Sequence, residues 1–121
     1  MPDRFNTNQN VLEVSAVVAA ATNNQTLAGA AGRTTYIEGF TVSGLGATAG
    51  STIAITVTGI ANTLTYEYTV PAGVAAAAPL LDIRFPDPIP ATAANTPIVV
   101  NVPSFGAGNT AATASAYGFQ N

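Results

Sequence analysis

The stretch Thr52-Ile-Ala-Ile-Thr-Val-Thr-Gly-Ile-Ala-Asn-Thr-Leu-Thr-Tyr-Glu-Tyr-Thr-Val70 decides the fold. In its first part Ile53, Ile55 and Val57 alternate with Ala54, Thr56 and Thr58. In its second, Leu64, Tyr66, Tyr68 and Val70 alternate with Thr65, Glu67 and Thr69. A period of two puts each set on one side of a pleated chain, so the stretch predicts two strands with one apolar face each.

The same period recurs outward in both directions. Leu12, Val14, Ala16, Val18 and Ala20 mark a first strand, alternating with a more polar set. Further strands are expected over 34–43, 81–85, 98–102 and 111–119. Gly29–Gly32, Gly44–Gly46, Pro71–Gly73, Pro86–Pro90 and Gly106–Asn109 break the chain between them. No window shows a helical period, and Ala75–Ala78 is a short run between Gly73 and Pro79. Seven short strands without crossover helices predict an all-β fold: an antiparallel β-sandwich of jelly-roll or Greek-key type over residues 11–121. Residues 1–10, MPDRFNTNQN, are polar and aperiodic and read as an extended N-terminal arm.

Strand 34–43 contains a conflict. Strict alternation with Phe40 and Val42 inward also turns Glu38 inward, where it needs Arg33 or Arg84 as partner. A β-bulge at Gly39 instead puts Ile37 with Phe40 inside and returns Glu38 to solvent; this is the favoured reading. A second local feature is an echo: Thr41-Val-Ser-Gly-Leu-Gly-Ala-Thr48 resembles Thr56-Val-Thr-Gly-Ile-Ala-Asn-Thr63. Two copies fall short of a solenoid and mark strands that leave the sheet through similar glycine turns.

Charge is scarce. Of 121 residues only 7% are charged, namely six carboxylates and the three arginines Arg4, Arg33 and Arg84, with no lysine. A typical soluble domain carries roughly 25%. The exterior must therefore be built from Thr, Ser, Asn, Ala and Gly, a surface that loses little solvation when other protein covers it. With a net charge of −3, no basic patch can form, which argues against nucleic acid as a partner. Glu13 and Ser15 interrupt the apolar run at 14–21, which reads as a strand and not as a secretory segment. No run is apolar for long enough to span a bilayer as a helix, so no membrane partner is expected.

Chemistry is hard to find. The chain has no His, Cys or Lys, which removes most nucleophilic triads, thiol chemistry, Schiff bases and most zinc sites. The turn Gly44-Leu-Gly46 has no following helix to cradle a phosphate. The carboxylates Glu38, Glu67, Asp82 and Asp87 remain, and each has a plain reading on a strand face or beside Arg84. Asp82 and Asp87 with loop carbonyls would suit calcium, but no repeated acidic motif supports such a site. The expectation is a non-enzyme with no cofactor, no metal and no small-molecule substrate. The candidates for subunit contact are Arg4 and Phe5, the lone cation and apolar anchor of the arm, and Tyr117 and Phe119. These last two share a face of the final strand opposite Ala112, Ala114 and Ala116. Either the small alanines line the interior and the rings are exposed, or both rings enter the core.

The order of these segments resembles the small β-sandwich decoration (cement) proteins on the heads of tailed bacteriophages. The resemblance covers residues 27–119. It is carried by Ala31-Gly-Arg-Thr-Thr-Tyr-Ile37 leading into Phe40-Thr-Val42, by Ile53-Ala-Ile-Thr-Val57 and by Phe85-Pro-Asp-Pro-Ile-Pro90. Asn95-Thr-Pro-Ile-Val-Val-Asn-Val102 and the close through Gly108-Asn-Thr-Ala-Ala112 to Tyr117-Gly-Phe119 complete it. The family implies a jelly-roll-like homotrimer on the exterior of an icosahedral capsid. There it contacts the major capsid protein, bridges neighbouring capsomers and often reaches out with an N-terminal arm. It brings no catalytic residues. The alternative is a carbohydrate- or receptor-binding sandwich of a phage fibre or cell surface, against which the lack of Trp counts.

Overall fold

A computed structural model describes residues 9–121. The chain forms β1 (Asn10–Val18), β2 (Asn23–Leu27), β3 (Thr35–Leu45), β4 (Ser51–Thr58), β5 (Leu64–Val70), β6 (Ala77–Pro90), β7 (Ile98–Val102) and β8 (Ala112–Gln120). They make two four-stranded sheets, ordered β1-β8-β3-β6 and β2-β7-β4-β5. Every paired neighbour is antiparallel. The fold is therefore an antiparallel β-sandwich, and its pairing is nested. β1 pairs β8, β2 pairs β7, β3 pairs β6 and β4 pairs β5. The first half of the chain thus runs back along the second as one long hairpin, closed between Thr58 and Leu64 and rolled so that alternate pairs fall in opposite sheets. The stretch from Thr52 to Val70 is the closed end of that hairpin.

Alternation places the core where the sequence puts it. Ile55, Val57, Val70, Ile98 and Val100 are fully buried between the sheets. Phe40 packs edge-on against Tyr66, with ring centroids 5.4 Å apart, and Tyr68 lies 5.4 Å from Phe105. Tyr68 therefore fills the interior, and the half-buried Tyr66 packs against it.

The bulge at Gly39 is present. The registers of β3 with both β6 and β8 shift between Ile37 and Gly39, so Ile37, Phe40 and Val42 are all buried while Glu38 is only half-buried. The two echoed segments also share a cause. Gly44 and Gly59 both take positive φ, 148° and 89°, and each lies against backbone at the start of a later strand. A side chain at Gly44 would strike Ala111, and one at Gly59 would strike Pro97.

Three differences from the periodicity have physical reasons. β1 ends at Val18, two residues before Ala20, which turns out of the sheet with φ 50°. β2, Asn-Asn-Gln-Thr-Leu, is a strand that hydrophobic alternation does not reveal, because Asn23 and Gln25 occupy two of its three inward positions. Asn23 Nδ2 donates to Ala16 O (3.0 Å) and Ala112 O (3.1 Å), and Gln25 Nε2 donates to Asn23 Oδ1 (2.6 Å). Those bonds replace water for the buried amides. β6 runs for 14 residues, far beyond 81–85, through Pro79, Pro86, Pro88 and Pro90. It is an edge strand, so one side of its backbone needs no ladder partner.

Candidate contact surface

The two outer faces of the sandwich differ in chemistry. On the sheet containing β4, most outward positions are hydroxyls and amides, with Thr52, Thr56, Thr65 and Thr69 on β4 and β5 and Asn24 and Asn101 on β2 and β7, interrupted by Ala54, Glu67 and Val99. The sheet containing β8 is built otherwise. Ala112, Ala114 and Ala116 are buried, which settles the facing of β8 and turns Tyr117 and Phe119 to the outside, where both are half-buried.

Cross-strand register arranges this outer face in rows. Val11, Phe119, Tyr36 and Pro90 lie side by side across β1, β8, β3 and β6. Phe119 and Tyr36 stack with ring centroids 4.8 Å apart and planes within 15°. The next row holds Glu13, Tyr117, Gly39 and Arg84, and the one after it Ser15, Ser115, Thr41 and Asp82. Arg84 and Asp82 pair at 3.4 Å on the exposed side of β6. Ser115 and Thr41 share a hydrogen bond between hydroxyls. A shallow depression of about 380 Å³ between β1 and β8 is rimmed by Glu13, Ser15, Ser115 and Tyr117.

The face continues to β1, the outermost strand of the sheet among the described residues. Val11 and Val17 are 74% and 61% exposed there. Neither they nor Tyr36 stand out among the sequence's contact candidates. The signal was the pair of valines in the nominally polar half of the first strand's alternation. Of the candidates, Tyr117 and Phe119 share this surface, whereas Arg4 and Phe5 lie outside the described residues. β1 begins at Asn10, so the last residue of the expected arm belongs to the sheet.

The carboxylates do not converge. Among the described residues no three of His, Cys, Asp or Glu come together as a metal-binding group. Asp82 faces Arg84, and Glu67 sits exposed on the threonine face of β5. The shifted acid groups belong to the core: burial pushes the Tyr68 hydroxyl up to about 12 and raises Tyr66 as well. Tyr68 Oη donates to the carbonyl of Pro79, so the neutral form is the bonded one. Among the described residues no helix is long and apolar enough to cross a membrane. This surface carries stacked rings, exposed aliphatic groups and paired hydroxyls on one sheet. No known protein family, characterised protein or solved structure matches the chain.

Proposed function

We propose that the chain is a non-enzymatic virion structural protein that decorates an icosahedral phage capsid and stabilises it by bridging neighbouring capsomers. One observation carries the reading: the outer face of β1-β8-β3-β6 sets Val11, Phe119, Tyr36 and Pro90 in a continuous row on a chain with almost no charge. Aromatic side chains on a rigid sheet gain free energy when protein covers them, and a weakly charged surround loses little. The nested strand order supports the jelly-roll form that the resemblance implies. A homotrimer seated on the major capsid protein must cover of order 1,000 Å² or more per bridge to attach specifically.

The experiment is occupancy on purified, expanded shells. Wild-type protein saturates them, Phe119→Ala lowers occupancy while remaining folded, and removal of residues 1–8 weakens attachment without touching β1. Equal occupancy by all three proteins refutes the surface and the arm together. A second reading, a carbohydrate-binding module, draws on Tyr117 beside the depression rimmed by Glu13 and Ser15. Clear hits on a glycan array with no binding to shells favour it over the first.

A further inference from the structure

The sandwich has two long sheet edges of opposite character. β6 is blunted by Pro79, Pro86, Pro88 and Pro90 and carries Asp82, Arg84 and Asp87. β1, Asn-Val-Leu-Glu-Val-Ser-Ala-Val-Val, has no proline and one charged residue, Glu13. Proteins normally protect such an edge with lysine, proline, a bulge or a covering loop, because its free backbone groups template another strand.

Which groups of β1 have no ladder partner among the described residues follows from the pairing. Leu45 donates to Ala111 O (2.9 Å), and Thr34 and Asn121 exchange bonds (3.1 and 3.0 Å), so the odd-numbered residues of β8 turn toward β3. Its even-numbered residues therefore bond β1 at Asn10, Leu12, Val14, Ala16 and Val18. Val11, Glu13, Ser15 and Val17 turn N–H and C=O outward, and their side chains stand on the outer face.

We infer that β1 is a seam at which two copies of this chain join edge to edge, antiparallel, about a twofold axis through Val14. In that register Val11 lies opposite Val17 of the second copy and Glu13 opposite Ser15, each relation occurring twice. All the outward backbone groups of both strands find partners, and the two exposed valines of β1 cover each other. The registers two residues away are worse. One sets Glu13 against Glu13, a like-charge pair directly opposite. The other sets Glu13 against Val17 and runs Val11 past the end of the strand. Odd shifts are excluded, because they oppose outward residues to inward ones. The self-complementarity of the sequence about Val14 is what selects a second copy as occupant. The contact is twofold, so it is distinct from any threefold contact and compatible with one. It does not depend on the proposed function.

Sedimentation velocity of the full chain across a concentration series tests it. The wild type shows a mass-doubling step. Ser15→Pro removes an outward N–H without taking a bond from β8, and it abolishes that step. Ser15→Lys faces Glu13 of the other copy and tightens association about tenfold, whereas Ser15→Glu weakens it about as much. The cysteine-free chain allows an independent check by oxidation. Val14→Cys cross-links to itself, since the two Cα atoms would lie about 4.5 Å apart. Val17→Cys, with its copies about 20 Å apart, does not. A mass unmoved by Ser15→Pro, or cross-linking at Val17 in place of Val14 in folded protein, overturns the seam.

Discussion

Tyr117 lies across Gly39: a methyl group built on Gly39 would stand 2.5 Å from the Tyr117 hydroxyl oxygen and 2.5 Å from the carbonyl oxygen of Ile83. The bulge and the aromatic face are thus one construction. The missing side chain lets the tyrosine ring settle on the sheet, and the extra residue turns Glu38 away from the core. Gly39→Ala is expected to cost about 2 kcal/mol, because the ladder to β6 must yield as well as the ring. Chemical denaturation measures the loss. An unchanged midpoint would mean that the ring does not rest there.

Asn109 is a polar rivet at one end of the sandwich. Its Nδ2 reaches the carbonyls of Leu45 (2.9 Å), Gly46 (3.2 Å) and Ala111 (3.2 Å), and its Oδ1 accepts the N–H of Ala20 (3.2 Å). Among the described residues no buried side-chain nitrogen or oxygen lacks a partner, and Asn109 serves several backbone groups at once. Asn109→Ala should destabilise by about 2–3 kcal/mol, since one buried and two half-buried carbonyls lose their donor together. Asn109→Asp should be no better, because a carboxylate offers no N–H. Thermal melts of both variants check this.

Alkaline pH should weaken the fold. Tyr68 titrates near 10 when unfolded and is pushed up to about 12 by burial in the folded protein, with Tyr66 displaced in the same direction. Between those values the unfolded chain has given up the proton and the folded chain keeps it. Stability is therefore level below pH 10 and falls as pH rises toward 12, by on the order of 2 kcal/mol from Tyr68. Urea titrations at pH 9 and pH 11 read the slope. Tyr68→Phe should flatten most of it.

Ile55 is fully buried at the centre of β4. Ile55→Asp places an unpaired carboxylate among aliphatic side chains and should cost on the order of 4 kcal/mol or more, enough to unfold a small domain. A cooperative melt from soluble Ile55→Asp protein would contradict the facing of β4.

The legible parts of the fold were those where apolar side chains alternate with small polar ones. β4, β5 and β7 follow their periodicity almost to the residue, and Gly39 announced its bulge through the conflict between Glu38 and Phe40. β2 was illegible because Asn23 and Gln25 behave as core residues only once Ala16 and Ala112 supply acceptors from the opposite sheet. The extent of β6 was hidden by prolines that a central strand could not hold. At the candidate surface, the facing of Tyr117 and Phe119 hung on whether three alanines could line a core. Spacing along one strand cannot answer that, because it depends on how closely the second sheet approaches. Tyr36 became part of the surface only through its register with Phe119 across β3 and β8, a relation no local pattern contains.

The proposed function requires that polypeptide cover the outer face of β1-β8-β3-β6. Imaging the protein in its native assembly, at a resolution that separates neighbouring subunits, tests it most directly. The expected result is protein density from a neighbour packed over Phe119, Tyr36 and Val11. The same face open to solvent, with contacts made instead through the threonine face of β4 and β5, would contradict it.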